Sequence, residues 1–383
     1  MNNINNYLSN KEFSEINDLL QNLIQIKSVT PPGNEIEIAN YIKQYLLREK
    51  IPSELVSLEE NRSSLIAEIE GQERRNITLC GHLDTVDVNE EDWNKPPFQG
   101  IVEDGKMYGR GASDMKSGVA TIIYSMMLLK RKGVVPKKTI QLVLTADEEG
   151  GTLRGSKDLV DKGYFDKTDF LIITEPTNLR VAVGGRGKIW IKAKFYGESA
   201  HGSTPEFGVN TIIPGSKFII ELSNKYDKIF KEEPLWGKTS INIGQFHGGN
   251  QVNIVPDYSE IQLDFRVISE DDKERAKELI VKIGKEIGEK YKVKFAEEIF
   301  AQHPTISNCL SNEYISRFML VSRFKDPITL RCCSDGNAII PKKKIPFVIF
   351  GPGNLSEAHS SDEYVVLNNL YQSVETIVNF LLL

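Results

Sequence analysis

The chain has 383 residues, of which 40% are hydrophobic and 26% are charged. These are ordinary values for globular proteins, and they exclude a disordered, collagen-like or coiled-coil chain. At roughly 150 residues per domain, the length predicts two to three domains. The formal net charge of -6 provides no basic surface, which argues against nucleic acid or an anionic membrane as the main partner.

No part of the sequence resembles a targeting or membrane segment. Residues 1–15 lack the basic start and apolar run of a signal peptide, and the apolar residues 374–383 are too few to span a bilayer. The four cysteines show no C-x-x-C spacing, which predicts thiols in a reducing compartment rather than a zinc knuckle or a redox pair. We therefore expect a cytoplasmic protein.

Helical patterns and apolar runs alternate along much of the chain. The spacing of apolar residues predicts helices at 13–26, 36–47 and 114–132. Continuous apolar runs typical of strands buried on both faces lie at 76–80, 139–145, 170–174 and 346–350. This order indicates an α/β fold with a mixed, mostly parallel sheet flanked by helices.

A segment from 185 to 300 has a different pattern, in which apolar and polar residues alternate. It predicts strands at 188–196, 239–246, 253–267 and 291–300, and helices at 209–222 and 271–290. The order β-α-β-β-α-β is that of a ferredoxin-like α+β unit. Because the buried-strand pattern resumes beyond it, we expect an inserted domain at 185–300 and a discontinuous domain formed by 1–184 and 301–383.

Acidic residues and histidines follow the predicted buried strands or lie close to them in the chain. In parallel sheets, the residues after the strands converge on one crevice, and here they are His82, Asp84, Asp114, Glu148, Glu149, Glu175 and His359. Several carboxylates cannot share a crevice without a compensating cation. Imidazole and carboxylate ligands without thiolates suit zinc, cobalt or manganese, and a carboxylate between two ions suits a hydrolytic two-metal site.

Each motif has a simpler explanation when it is considered alone. His82 could be a loop histidine, Glu148 and Glu149 could form a solvated acidic turn, and Asp114 could cap the following helix. Their coincidence at several strand ends favours the metal site. Residues two apart on a strand point to the same face, so the Asp84 carboxylate is predicted to accept a hydrogen bond from the His82 ring.

Six motifs together resemble one enzyme family. They are GHLDTVD at 81–87, YGRGASDMKSG at 108–118, TADEEG at 145–150, TEPT at 174–177, SAHGS at 199–203 and AHS at 358–360. In this order and at these separations they are similar to the acetylornithine deacetylase, succinyl-diaminopimelate desuccinylase and carboxypeptidase G family of dinuclear zinc hydrolases. The resemblance covers nearly the whole chain and implies a catalytic domain with an inserted lid.

The resemblance also implies a role for each motif residue. Two divalent metal ions, zinc or else cobalt or manganese, are expected on His82, Asp114, Glu149, Glu175 and His359, with Asp114 bridging them. His82 and Glu175 then belong to one ion, and Glu149 and His359 to the other. Glu148 is expected to act as the general base toward a metal-bridging hydroxide, and Asp84 to orient His82.

Lid residues are expected to complete the site and to bind substrate. The resemblance implies that His201 stabilises the oxyanion in the active site of a partner subunit, within a homodimer formed through the lid. It places Asn253 and Arg266 at the free carboxylate of the substrate, with Arg186 as a further candidate. Gly336 belongs to a Ser-Asp-Gly motif near the substrate, and the next residue, Asn337, stands where desuccinylase-like members have arginine.

The predicted function is metal-dependent hydrolysis of the amide bond of an N-acyl amino acid, as in acetylornithine deacetylase or succinyl-diaminopimelate desuccinylase. A dipeptidase or glutamate-releasing carboxypeptidase could use the same site. A catalytically silent metal-binding module is an alternative of another class. The intact Glu148 argues against it, since binding metal alone requires no general base.

Overall fold

The computed structural model describes residues 8–383. The first seven residues, which belong to the segment without a signal-peptide pattern, lie outside this range. The chain divides into two units. One unit runs to Gly184 and includes 307–330 and 334–383, whereas the other comprises Gly185–Ile306 and Arg331–Cys333. The second unit therefore continues past residue 300, because its last strand extends to His303.

The described chain contains the following helices and strands. The helices are α1 Asn10–Gln25, α2 Glu35–Arg48, α3 Lys116–Arg131, α4 Arg154–Asp161, α5 Ile212–Ile229, α6 Glu270–Tyr291, α7 Glu313–Val321, α8 Gly336–Lys343 and α9 Leu367–Leu381. The strands are β1 Ser53–Glu59, β2 Arg62–Ile69, β3 Glu73–His82, β4 Ile101–Glu103, β5 Lys106–Tyr108, β6 Lys138–Thr145, β7 Thr168–Ile173, β8 Ala182–Gly185, β9 Gly187–Tyr196, β10 Ser240–Gly248, β11 Tyr258–Val267, β12 Lys294–His303, β13 Ile306–Ser307, β14 Ile328–Leu330, β15 Phe347–Ile349 and β16 Tyr364–Val366.

A mixed sheet forms the centre of the first unit. Seven of its nine strands follow the order β1-β2-β6-β3-β7-β15-β8, and the four central strands β6, β3, β7 and β15 run parallel. Strands β1, β2 and β8 pair antiparallel with their neighbours. The central strands are buried along most of their length, which explains their continuous apolar runs. The predicted α/β class is confirmed.

Helix α3 begins at Lys116, two residues later than the sequence predicts. The main-chain amides of Ser113 and Asp114 donate to the Glu363 carboxylate, at 2.7 and 2.9 Å, and do not form a first helical turn. The buried Lys116 side chain donates through Nζ to the carbonyl oxygens of Leu23 and Ile26, where α1 ends. These bonds satisfy carbonyls that lack partners at a helix end, and they fix the start of α3.

The apolar C-terminal residues belong to helix α9, which packs into the core. Leu370, Val374 and Ile377 are fully buried on one face of this helix. Between residues 8 and 383, the structure contains no helix with both the length and the apolar character needed to cross a membrane.

The second unit has the predicted order β-α-β-β-α-β. Its antiparallel sheet follows the order β10-β11-β9-β12, and α5 and α6 contribute to the same buried apolar cluster as alternate residues of β9 and β11. Several predicted boundaries were wrong, and the structure explains two of them. The strand expected from Asn253 begins at Tyr258, because Asn253 lies in a turn and Pro256 has no amide hydrogen to donate to a ladder. The helix expected from Val209 begins at Ile212, because the Val209 amide donates to Glu198.

Candidate metal centre

Two groups of metal-ligating side chains lie together in the first unit. His82, Asp114 and Glu175 form one group, and Asp114, Glu149 and His359 form the other, with the ligand atoms of each group within 4.8 Å of one another. Asp114 is common to both. Its Oδ1 lies 3.2 Å from His82 Nε2, and its Oδ2 lies 3.7 Å from His359 Nε2. The five predicted ligands thus come together, with one carboxylate between two sets of donors.

Three of the five side chains are placed by the parallel strands. His82 is the last residue of β3, Glu149 follows the end of β6, and Glu175 follows the end of β7. Because β3 lies between β6 and β7 and runs parallel to both, these ends meet at one edge of the sheet. These three residues therefore lie after the buried strands and at one edge, as the sequence predicts.

Asp114 and His359 are brought together by a small sheet that the sequence patterns did not predict. Strands β16, β5 and β4 pair antiparallel, and Tyr108 lies opposite Tyr364. This pairing sets the turn before Asp114 beside the segment after His359. The β5 and β16 strands have three residues each, too few for a periodic pattern to be recognised.

Glu363 and Arg110 hold this part of the site, although no sequence pattern predicted a role for either residue. The buried Glu363 carboxylate accepts from the amides of Ser113 and Asp114, and Arg110 Nη1 donates to its other oxygen at 2.6 Å. A cap role for Asp114 is excluded, since α3 has no side-chain cap and Met115 stands at its N-cap. The sequence offered little to identify them: Glu363 is an acidic residue four positions after His359, and Arg110 stands between two glycines.

The contacts of Asp84 differ from the prediction. His82 Nδ1 lies 2.9 Å from the main-chain oxygen of Asp84, whereas the Asp84 carboxylate is 3.7 Å from this nitrogen. The carboxylate instead accepts from the amides of Glu148 and Glu149, at 3.1 and 2.9 Å. It is the carbonyl of Asp84 that orients the imidazole, while its side chain holds the segment carrying the two glutamates.

The electrostatics of the centre suit a bound cation. Burial and the charge of Asp114 raise the pKa of Glu175 well above its usual range, and one Glu175 oxygen, Oε1, is buried without a hydrogen-bond partner among residues 8–383. Burial opposes the charged form of His82, but the hydrogen bond to Asp114 and the charge of Glu175 raise the His82 pKa. Buried carboxylates of this kind need protons or a cation. The oxygen and imidazole donors fit zinc, cobalt or manganese.

Glu148 belongs to neither donor group. Desolvation raises its pKa well above the usual range, as do the charges of Glu149 and Asp335, although His82 opposes the shift. His359, in contrast, has a half-exposed side chain. Glu148 thus offers a carboxyl group outside both donor groups, and the centre is open on its His359 side.

Two of the predicted lid residues come together in the second unit. The exposed His201 pairs with Ile254, and the amide of Gly202 donates to the carbonyl oxygen of Asn253. His201 Nδ1 accepts from the Ser203 amide at 3.2 Å. Since a main-chain N–H can only donate, the neutral ring carries its proton on Nε2.

The other predicted substrate residues occupy different environments. Buried Arg186 donates through Nη2 to the carbonyl of Trp236 at 2.7 Å, and Arg266 Nε lies 3.0 Å from Asp264. Gly336 is the buried first residue of α8, in the first unit. The Asn337 side chain accepts from the Ser334 amide at 2.8 Å and so closes its own turn.

Comparison with known proteins agrees with this arrangement. Residues 78–383 match the family model described as peptidase family M20/M25/M40. The chain belongs to this family. It is therefore a metal-dependent hydrolase of amide bonds, and the resemblance inferred from the six motifs is confirmed.

The relatives of this chain include several kinds of amide hydrolase. A probable succinyl-diaminopimelate desuccinylase of Staphylococcus aureus strain Mu50 is 29% identical, over 94% of this chain and 96% of the relative. The crystal structure of a tripeptidase from Staphylococcus aureus subsp. aureus Mu50 superposes with a TM-score of 0.82 at 23% identity, covering 96% and 97% of the two chains. A dinuclear metal-binding M20 peptidase, the YXEP protein of Bacillus subtilis, superposes with a TM-score of 0.73 at 16% identity, covering 98% of each chain.

Proposed function

We propose that this M20 protein hydrolyses the amide bond of an N-acyl amino acid, in the manner of an acetylornithine deacetylase or a succinyl-diaminopimelate desuccinylase. The observation that carries the proposal is the position of Asp114 between two donor groups, with Glu148 nearby but in neither. A carboxylate shared by two donor groups, such as Asp114, can bind two metal ions at once. A carboxyl group that binds no metal, such as Glu148, is available to transfer a proton. The desuccinylase relative supports the choice of an acylated amino acid.

The five ligands divide between the two ions as the donor groups do. His82 and Glu175 would hold one ion, Glu149 and His359 would hold the other, and Asp114, which belongs to both groups, would contribute to each. When bound, the ions lower the pKa of water to near neutrality and polarise the scissile carbonyl. Zinc is the metal that this donor set suits best, with cobalt or manganese as alternatives.

Glu148 moves the proton. As a carboxylate it accepts the proton of the attacking water, and as a carboxylic acid it returns this proton to the amine nitrogen when the amide bond breaks. Asp84 holds the Glu148 main chain and, through its carbonyl, the His82 ring.

His201 is the oxyanion donor in this proposal. The Ser203 amide leaves the His201 proton on Nε2, which is the form that donates a hydrogen bond while remaining neutral. Because His201 is exposed in the second unit, we propose that it serves the site of a second subunit in a homodimer formed through this unit. The free carboxylate of the substrate is assigned to Arg266 and Asn253, with Arg186 as a further candidate, all three in the second unit.

Turnover of a substrate panel tests the proposed function. Metal-free protein loaded with zinc or cobalt is expected to hydrolyse N-acetyl or N-succinyl amino acids faster than dipeptides. Release of free amine is the measurement, and protein kept in chelator is the control. Faster cleavage of dipeptides would replace the deacylase assignment by a peptidase one, whereas two bound metals without any turnover would indicate a silent module.

A dipeptidase or carboxypeptidase is the second candidate, and Asn337 favours it. This residue occupies the position where desuccinylase-like members have an arginine, and its side chain closes its own turn. A neutral amide cannot form the bidentate ion pair with which an arginine binds a carboxylate. Weak activity toward N-succinyl substrates together with strong dipeptide cleavage would support this candidate.

Subunit mixing tests the role of His201. We expect His201→Ala and Glu148→Gln proteins to be inactive alone and to recover about one quarter of wild-type activity when their dimers exchange. Half of the dimers are then mixed, and each mixed dimer contains one site with both wild-type residues. Amine release before and after exchange is the measurement. No recovery, despite exchange shown by mass spectrometry of differently tagged subunits, would rule out action across the interface.

A further inference from the structure

A buried network of ion pairs contacts the chain segment that carries Glu148. Arg62, only 3% exposed, donates through Nε to the Glu35 carboxylate at 3.0 Å. Its Nη1 lies 2.9 Å from Asp147 Oδ1. Glu35 and Asp147 are buried as well, and none of the three belongs to the two donor groups.

The network also holds the main chain. Glu35 Oε1 accepts from the amide of Asp147 at 3.1 Å, so one carboxylate binds both the guanidinium and the backbone before Glu148. The next two amides donate to Asp84. Asp147 itself has a φ of +60°, a conformation that most residues avoid. Three consecutive amides are thus held by buried carboxylates, and these bonds set the directions of the Glu148 and Glu149 side chains.

Two glycines leave the space that the network needs. A Cβ atom on Gly33 would lie 2.3 Å from Arg62 Nε, and one on Gly150 would lie 2.4 Å from Asp147 Oδ1. Arg62 also donates to Thr30 at 2.8 Å, so its guanidinium is held from several sides. Burying ion pairs costs desolvation energy, and replacing them by apolar residues is often harmless to stability. A role in positioning accounts for the network better than stability does.

We propose that Arg62, held by Glu35, is a positioning residue for Glu148 and Glu149. The inference rests on the proposed function, in which Glu148 transfers the proton and Glu149 binds one of the two metal ions. Arg62 touches neither metal nor substrate in this scheme. It acts by fixing the backbone at Asp147, so its loss disturbs the general base and only the metal position to which Glu149 contributes.

Arg62→Lys is the first test variant, because it keeps the charge but not the planar group that binds Glu35 and Asp147 together. Zinc is titrated into metal-free protein against a competing chelator. We expect the dissociation constant of one zinc ion to rise about 10- to 100-fold, which is the usual effect of mutating a residue that supports a metal ligand. The dissociation constant of the other zinc ion should stay unchanged. On the best panel substrate, kcat should fall by a similar factor while KM stays constant.

Arg131→Lys is the matched control, and Glu35→Gln is the second test variant. Arg131 binds Glu15 and Glu49 through the same kind of group, but it lies at the end of α3, outside the donor groups. We expect Arg131→Lys to leave both zinc affinities and kcat unchanged. Glu35→Gln keeps the volume of the side chain and should repeat the effect of Arg62→Lys, so it decides the matter if that variant does not fold.

The possible outcomes separate this inference from the proposed function. If the wild type binds two zinc ions and turns over substrate, but Arg62→Lys and Glu35→Gln behave like Arg131→Lys, the positioning role is wrong and the proposed function stands. A wild type that binds fewer than two zinc ions would overturn both. An equal loss of affinity for both zinc ions would also overturn the inference, because a positioning role of Arg62 predicts a loss confined to one of them.

Discussion

Replacing Glu148 by glutamine is expected to lower kcat by about 10²- to 10⁴-fold while the protein keeps its metal ions. Glutamine has nearly the same size, but its amide cannot accept the proton of the attacking water or return it to the amine. Metal binding should persist, because Glu148 lies outside both donor groups. The measurements are kcat on the best panel substrate and the metal content of the same protein sample by atomic emission.

Glu357→Gln provides the control for this variant. Glu357 is a carboxylate two residues before His359, where it accepts from the Ser356 hydroxyl, and it has no assigned role in the centre. The same chemical change there should leave kcat within a factor of about two, as for most surface substitutions. Full activity of Glu148→Gln with both metals bound would show that another group transfers the proton.

The ligands that follow the parallel strands could be predicted from the sequence, because the carboxyl ends of parallel strands lie along the same edge of a sheet. Once 76–80, 139–145 and 170–174 are recognised as buried strands, the residues that follow them must meet, whatever the details of packing. His82 and Thr145 are neighbours in the register of β3 and β6, as this reasoning requires. Local apolar patterns thus carried information about a site assembled over about a hundred residues of chain.

The supporting hydrogen bonds could not be predicted in the same way. Glu363 holds the amides of Ser113 and Asp114 from about 250 positions away, and Glu35 holds Asp147 from 112 positions away. No local pattern indicates which distant amide a buried carboxylate will accept from, since the choice depends on how the elements pack. A carboxylate in a helical pattern such as Glu35 looks like any solvated acid until its burial is known.

The Asp84 side chain illustrates the same limit at the scale of single atoms. Asp84 lies beyond the end of β3 but still beside His82, and residue spacing cannot tell whether its carbonyl or its carboxylate oxygen accepts from the ring. In the folded chain, the amides of Glu148 and Glu149 compete for the carboxylate and bind it. The carbonyl is left for His82 Nδ1, and it fixes the ring tautomer equally well.

Replacing Asp114 by asparagine is expected to remove at least one of the two metal ions and to lower kcat by about 10²-fold or more. A carboxylate can offer one oxygen to each ion, whereas an amide offers a single oxygen and no charge. Losing one ion forfeits several kcal/mol of transition-state stabilisation, which corresponds to this factor or a larger one. The measurements are zinc stoichiometry by titration and kcat at saturating zinc.

The melting temperature gives a second reading of the same variant. Ions that bind only the folded chain stabilise it by an amount set by their concentration and affinity, so chelator should lower the melting temperature of the wild type. The drop should be smaller in Asp114→Asn, which has less bound metal to lose. Asp104→Asn is the control, because Asp104 lies exposed in the turn between β4 and β5 at a φ of +50°, which asparagine tolerates. Retention of two zinc ions at wild-type affinity by Asp114→Asn would show that this residue does not join the two metal positions.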